Sequence, residues 1–315
     1  MSIKLVAAFF RLIRSMNLLF IALTQVLFHF FVVVPIFTDN HLSPGIDGVN
    51  LILLIVSSVF IAAAGYIIND YFDLNIDRIN KPQKLVVDKV IKRRWAIIWH
   101  WIFSVTGLAI GIYLSFKLNI FWIAIAHFLC ITALWFYSTT FKKKLLTGNI
   151  LISLLTAWVV LVIGFANHYI IMADNELYEA VDRSKLLRFT FLYAGFAFII
   201  SLVREVVKDI EDMEGDARYG CRTMPILWGI MVSKVFAVTW LVVLIATVLI
   251  VFVYMLQLTW WIPSFYCLIL IVLPLLMIIK KLAQATQSKD YHTVSNMLKL
   301  VMFTGILSMI FLIVH

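Results

Sequence analysis

Residues 51–77 read LILLIVSSVFIAAAGYIINDYFDLNID, an apolar run that ends in three aspartates. As a helix, the run over residues 51–69 is long enough to cross a hydrocarbon layer of about 30 Å. Asp70, Asp73 and Asp77, called here the first triplet, follow it directly. A carboxylate at mid-bilayer costs about 2.5–3.5 kcal/mol on insertion scales. The segment therefore predicts a membrane span that ends at a wet surface.

The composition of the whole chain agrees with this interpretation. The 315 residues are 63% hydrophobic and 14% charged, with a mean hydropathy of +1.01, which is far more apolar than an average soluble domain. Runs long enough to cross a bilayer occur at 16–37, 51–69, 95–116, 120–137, 149–171, 187–207, 231–256, 261–279 and 296–314. We therefore expect an all-α polytopic membrane bundle of about nine transmembrane helices, forming a single integral-membrane domain over residues 1–315.

The distribution of lysine and arginine predicts the orientation of this bundle. With the N-terminus on the cytoplasmic side, the alternation of nine spans places 22 of the 26 basic residues inside. This is the asymmetry that the positive-inside rule expects. We expect an integral protein of the cytoplasmic membrane with its N-terminus in and its C-terminus out. The net charge of +9 is then an orientation signal, and no nucleic-acid partner is expected.

The acidic pattern of the first triplet occurs a second time. Asp209, Asp212 and Asp216, the second triplet, repeat its i, i+3, i+7 spacing. On a helix this spacing stacks three carboxylates on one face, where like charges repel. A hard divalent cation such as Mg²⁺ is the usual reason to gather oxygen ligands, and carboxylate-held Mg²⁺ usually meets a phosphate-bearing substrate.

Both triplets begin where a span ends on the cytoplasmic side, so we expect them to share one cytoplasm-facing cavity. Six carboxylates at one site need counter-charge, which two Mg²⁺ ions and nearby bases would supply. We take all six as catalytic and metal-ligating candidates. The alternative is that each triplet is only a solvated helix end, and the match between the two triplets favours the metal site.

Residues next to the triplets add further candidates. Asn69 precedes the first triplet and offers a neutral oxygen to a metal or an amide to phosphate. The basic candidates for phosphate binding are Arg78, Lys81, Lys84, Arg204 and Lys208. For Lys81 and Lys84 the alternative role is to anchor the loop on the cytoplasmic side.

These segments resemble a known family. Residues 69–78 (NDYFDLNIDR) and 208–216 (KDIEDMEGD) resemble the NDxxDxxxD and KDxxDxxGD motifs of UbiA-type intramembrane prenyltransferases. Two other segments are similar to the family: Tyr137-Ser138 with Lys142 to Asn149 between spans four and five, and Leu12-Ile13-Arg14 with Asn17 at the entry to span one. We add Arg14, Tyr137 and Lys142 to the candidates for substrate binding.

The resemblance implies both a fold and a chemistry. The fold is a helical bundle around a central cavity, with cytoplasmic cap loops after spans two and six. Members bind a polyprenyl diphosphate through Mg²⁺ held by both aspartate motifs and ionise it to an allylic carbocation. They then transfer the prenyl group to a lipid-soluble or amphiphilic acceptor in the membrane.

The identity of the acceptor leaves two alternatives. The second motif and the run Ile79-Asn80-Lys81-Pro82 look most like members that alkylate geranylgeranylglyceryl phosphate. An aromatic quinone precursor, of the 4-hydroxybenzoate or dihydroxynaphthoate type, is the other acceptor class. The alternative for the whole chain is a secondary transporter. The ion-binding acids of transporters lie near the bilayer midplane, whereas the acids of this chain lie at the ends of predicted spans.

The predicted orientation can be tested with a cysteine at Gln83, in the loop after the first triplet. We expect a membrane-impermeant thiol reagent to label Gln83→Cys only from the cytoplasmic side, because this loop carries many of the inside bases. Labelling from the outer side would contradict the orientation. The three native cysteines, replaced by serine, provide the background chain.

Overall fold

The computed structural model describes residues 3–38, 41–80, 82–83 and 85–314. Within these residues it has nine helices long and apolar enough to cross a membrane: Ser15–Thr38, Gly48–Phe72, Arg93–Lys117, Trp122–Thr139, Thr147–Ala173, Arg183–Glu211, Met224–Gln257, Trp261–Gln284 and Ser288–Leu312. The described chain contains no β-strand, and Val87 and Ile91 form one isolated bridge. The predicted all-α membrane architecture is confirmed.

The chain divides into two compact units. The first comprises Met1–Lys142 and Val159–Thr190, and the second comprises Lys143–Trp158 and Phe191–His315. The helices of the first are α1 Ile3–Leu12, α2 Ser15–Phe28, α3 Val34–Thr38, α4 Gly48–Phe72, α5 Leu74–Asn80, α6 Arg93–Lys117, α7 Trp122–Thr139, the later part of α8 Thr147–Ala173, α9 Asn175–Ala180 and the start of α10 Arg183–Glu211. The helices of the second are the rest of α8 and α10, α11 Met213–Arg218, α12 Met224–Gln257, α13 Trp261–Cys267, α14 Leu273–Gln284 and α15 Ser288–Leu307.

Helix α4 lies at the centre of the first unit, where it packs against α2, α6 and α7. The approach to α6 is close because Gly107 faces Ile61: a Cβ at Gly107 would lie 2.8 Å from the Ile61 side chain. Gln25 of α2 donates through Nε2 to Ser58 Oγ and to the Val159 carbonyl oxygen, at 3.1 Å each. This amide ties α2 to both α4 and α8.

His127 of α7 is a buried, hydrogen-bonded core residue. Its Nε2 lies 2.8 Å from Ser57 Oγ and its Nδ1 lies 2.9 Å from the Ile123 carbonyl oxygen. The ring lies directly over Gly111, so Gly107 and Gly111 serve helix packing within the chain.

The second unit is held together by an aliphatic core between α10, α12, α14 and α15. Its fully buried members include Val203, Val207, Leu241, Leu275, Ile278 and Leu298. Helix α12 contains one non-helical residue, Gly229, with φ of 84°. That backbone region favours glycine because other residues clash there. The helix has a kink at Gly229, near its beginning. It also starts earlier, at Met224, than the apolar run at 231–256 predicts.

The contact between Gly111 and His127 yields a stability prediction. A Cβ at Gly111 would lie 2.9 Å from the His127 ring, which two hydrogen bonds hold in place. We expect Gly111→Ala to lower the melting temperature in detergent, since overpacking of this kind costs about 1–3 kcal/mol. Gly195→Ala is the matched control, because nothing lies within 4 Å of its Cβ position. Equal melting temperatures for the two variants would contradict the packing.

Candidate active site

The first triplet does not lie on one continuous helix. Helix α4 ends at Phe72 and α5 begins at Leu74, with Asp73 between them at φ −82° and ψ −2°. Two backbone hydrogen bonds bridge this break: Asp73 N donates to Asn69 O at 2.9 Å, and Asp77 N donates to Asp73 O at 2.8 Å. The expectation of three carboxylates on a single helical face is therefore wrong.

The second triplet has the same backbone geometry. Helix α10 ends at Glu211 and α11 begins at Met213, with Asp212 at φ −96° and ψ 4°. Asp212 N donates to Lys208 O at 2.9 Å, and Asp216 N donates to Asp212 O at 3.2 Å. In each motif the middle aspartate lies in the bridge region of φ/ψ space, where many active-site residues are found. A short polar side chain that competes for backbone hydrogen bonds favours such a position over a helix interior.

Basic side chains contact two carboxylates of the first triplet. Arg14 Nη2 donates to Asp70 Oδ1 at 2.7 Å, and Lys142 Nζ donates to Asp73 Oδ1. Asn69 Oδ1 is buried and has no hydrogen-bond partner among the residues that the structure describes. The candidates Arg14 and Lys142 thus lie at carboxylates of the first triplet, and their role in substrate binding stays a prediction.

Arg14 has an unusual backbone conformation. It joins α1 to α2 with φ 51° and ψ 55°, in the left-handed region that non-glycine residues rarely adopt. Its guanidinium lies 5.0 Å from the centre of the Tyr66 ring. Burial works against the charge on Arg14, but Asp70, with further contributions from Tyr66 and Tyr137, raises the pKa of the guanidinium above its ordinary value. The strained turn therefore presents a permanent cation to Asp70.

The second triplet has its own polar contacts. Asn149, buried near the start of α8, donates through Nδ2 to Asp209 Oδ2 at 2.8 Å. Arg204 Nη1 and Lys208 Nζ donate to Glu205 at 3.1 Å each. Arg204 Nε is buried with no partner within the described part of the chain. Glu205 therefore holds two of the predicted phosphate-binding bases beside the triplet.

The remaining candidates have different surroundings. Arg78 lies on the exposed side of α5 and donates to Asp88 Oδ2 at 3.0 Å. Tyr137 is half-buried in the last turn of α7, and Asp77 and Asp216 are half-buried on the short helices after each break. Lys81 and Lys84 lie outside the described residues.

Three contact residues were not among the predicted site residues. Asn149 and Tyr66 reach their partners from distant parts of the chain or across a helix interface, which a single sequence does not show. Glu205 had a local signal, because it lies three residues before Lys208, a spacing at which opposite charges meet on a helix.

Neither unit, over its described residues, brings together three or more His, Cys, Asp or Glu side chains that could hold a metal ion. Mg²⁺ does not require such a cage. It usually keeps several waters and takes one or two carboxylates together with substrate phosphates.

Comparison with known proteins identifies the family of the chain. The model of the UbiA prenyltransferase family matches residues 26–306. Digeranylgeranylglyceryl phosphate synthase of Sulfurisphaera tokodaii is 31% identical over 255 residues, which is 81% of this chain and 84% of that protein. The synthase of the same name from Methanothermobacter thermautotrophicus is 32% identical over 193 residues, 61% of each chain.

Solved structures share the fold. A structure of digeranylgeranylglyceryl phosphate synthase in membranes is 26% identical with a TM-score of 0.62, covering 98% of this chain and 99% of that one. A UbiA homolog from Archaeoglobus fulgidus, bound to DMAPP and Mg²⁺, is 15% identical with a TM-score of 0.56, covering 96% of this chain and 98% of that one.

The nine apolar spans found in the described residues, together with the match to the prenyltransferase family model, define an integral membrane enzyme that transfers prenyl groups. The chain belongs to the UbiA prenyltransferase family. Membership confirms the resemblance of the two motifs and argues against the secondary-transporter alternative.

Proposed function

We propose that this enzyme transfers a prenyl group from a polyprenyl diphosphate to geranylgeranylglyceryl phosphate, with Mg²⁺ held by both aspartate triplets. The relatives named above support the acceptor, since their printed names are those of digeranylgeranylglyceryl phosphate synthases. The observation that carries the metal site is the repeated break: two motifs with one backbone geometry, each with a nitrogen donor on a carboxylate.

The donor set fits a hard cation. Every proposed ligand is an oxygen: the six carboxylates of the triplets and Asn69 Oδ1, a buried acceptor with no partner among the described residues. Buried polar atoms in folded proteins nearly always have a partner, so a cation or its bound water suits Asn69. We propose two ions, one for each triplet. When bound, Mg²⁺ neutralises charge that develops on the diphosphate leaving group.

Basic side chains of the protein complement the metal ions in binding the diphosphate. Lys142 and Arg14 in the first unit, and Arg204 and Lys208 in the second, are placed beside the triplets and offer charge-assisted hydrogen bonds to phosphate oxygens. Preorganised charges of this kind stabilise a departing diphosphate. The apolar bundle excludes water, so the allylic carbocation left by the departing diphosphate reacts with the acceptor hydroxyl instead of being hydrolysed. The new C–O ether bond forms as the hydroxyl loses its proton to the diphosphate.

The number of bases favours an acceptor with its own phosphate. An aromatic acceptor with one carboxylate needs one arginine, and Arg14 alone would supply it. A phosphate-bearing acceptor adds a second polyanion beside the diphosphate. Arg14 and Lys142, together with Lys81, Lys84 and Tyr137, are our candidates for contacting the two substrates.

The charge distribution supports a proposal for the membrane and the orientation of the protein. We propose that the protein resides in the cytoplasmic membrane, with both triplets facing the cytoplasm, where soluble diphosphate product can leave. The basic residues on that side support this orientation.

Substitution of the middle aspartates tests the shared metal site. We expect Asp73→Ala and Asp212→Ala each to abolish turnover while the protein still folds and can be extracted. Residues that act as a unit show non-additive losses, so the double variant should be scarcely worse than either single variant. Glu214→Ala is a suitable control, because Glu214 is exposed and pairs with Arg218. Multiplicative losses, or full activity in a chelator, would contradict one shared site.

Product analysis tests the acceptor. The purified enzyme is incubated with radiolabelled geranylgeranyl diphosphate, Mg²⁺ and, in parallel, geranylgeranylglyceryl phosphate, 4-hydroxybenzoate or a dihydroxynaphthoate. We expect an ether-linked product from the glycerol phosphate, identified by mass spectrometry. A prenylated aromatic product without any ether lipid would overturn the acceptor and leave the metal-dependent prenyl transfer intact.

A further inference from the structure

The residue just before Asp212 has two contacts with the beginning of α15. Glu211 Oε1 lies 2.8 Å from His292 Nδ1, and the Glu211 carbonyl oxygen accepts from Ser288 Oγ at 3.2 Å. The Glu211 side chain is mostly buried, with 11% exposure, whereas His292 is 44% exposed. Both the side chain and the backbone of the last residue of α10 are therefore attached to another helix of the same unit.

The beginning of α15, which makes these contacts, is itself held in place by hydrogen bonds and burial. Asp290 caps it by accepting from the backbone N–H groups of Thr286 and Gln287 at 2.9 and 3.0 Å. Tyr291, only 3% exposed, donates through its hydroxyl to the Ala285 carbonyl oxygen at 3.1 Å. Capping at Asp290 and burial of Tyr291, the two residues before His292, limit the movement of the backbone there, so His292 can hold Glu211 in place.

The position of these contacts gives them a consequence for the site. Helix α10 ends at Glu211, and the direction in which Asp212 and α11 continue depends on how that helix end is held. In the first motif the equivalent residue is Phe72, whose ring lies edge-on to Trp135 with centroids 5.8 Å apart. The residue before the middle aspartate is thus anchored in both units, by an aromatic contact in one and by a hydrogen bond in the other.

We propose that Glu211 and His292 are positioning residues that hold the break at Asp212, and so set the affinity of the second triplet for a divalent cation. The inference rests on the proposed function of that triplet. Neither residue is proposed as a metal ligand or a catalytic residue. Groups that orient metal ligands typically change metal affinity by about 10–100-fold when they are removed.

Metal binding, measured apart from turnover, tests this role. The full-length protein in lipid nanodiscs is titrated with Mn²⁺, and free Mn²⁺ is followed by electron paramagnetic resonance, with a melting temperature for each variant. We expect His292→Ala and Glu211→Leu each to weaken Mn²⁺ binding about 10-fold. The double variant should be no weaker than either single one, because the two residues act as a pair.

Conservative variants separate positioning from folding. His292→Asn keeps a side-chain N–H donor and Glu211→Gln keeps an acceptor, so both should retain most of the Mn²⁺ affinity. They also keep the test decisive if either of the larger truncations fails to fold. Thr293→Ala is the matched control on α15, because its hydroxyl donates to the Lys289 carbonyl oxygen of its own helix.

The result that overturns the proposal differs from the one that overturns the proposed function. If Asp212→Ala loses Mn²⁺ binding but His292→Ala lowers only the melting temperature, or if the conservative variants lose affinity as much as the truncations, the positioning role is wrong. If Asp212→Ala binds Mn²⁺ as the unaltered protein does, the proposed metal site itself is wrong.

Discussion

The carboxylates of this protein lie close to the membrane, where an unpaired carboxylate has a high free-energy cost, and this constraint explains much of the site. A lone carboxylate in hydrocarbon is expensive, so the triplets lie at the ends of spans and several members meet a nitrogen donor. Arg14 pairs with Asp70, Lys142 with Asp73, and Asn149 with Asp209. These partners orient the carboxylates and lower the cost of placing them next to an apolar bundle.

The helix break at each middle aspartate is the second organising feature. A continuous helix would stack three like charges, which repel. A break at Asp73 or Asp212 places the third aspartate on a short helix and leaves the middle one, half-buried, between two helices. Similar φ/ψ values recur in two segments with little other sequence in common, apart from the aspartates. This recurrence is hard to explain by stability alone, because ψ near 0° is sparsely populated.

The sequence predicts the spans well, because bilayer thickness and hydropathy determine them. It predicts Arg14 and Lys142 as site residues only through the family resemblance, since their partners are 56 and 69 residues away. It does not predict the breaks, because i, i+3, i+7 spacing is equally compatible with an unbroken helix. Asn149 was missed for the same physical reason: its contact with Asp209 spans 60 residues and depends on the fold.

The central proposal is that the two aspartate triplets share one Mg²⁺–diphosphate site, and anomalous diffraction tests it most directly. Crystals of the full-length protein grown with Mn²⁺ and a non-hydrolysable prenyl thiodiphosphate would be measured at the manganese edge. The account predicts manganese peaks on the thiodiphosphate whose carboxylate ligands come from both the first and the second triplet. Manganese bound at one triplet and absent from the other, or a thiodiphosphate bound away from both, would contradict it.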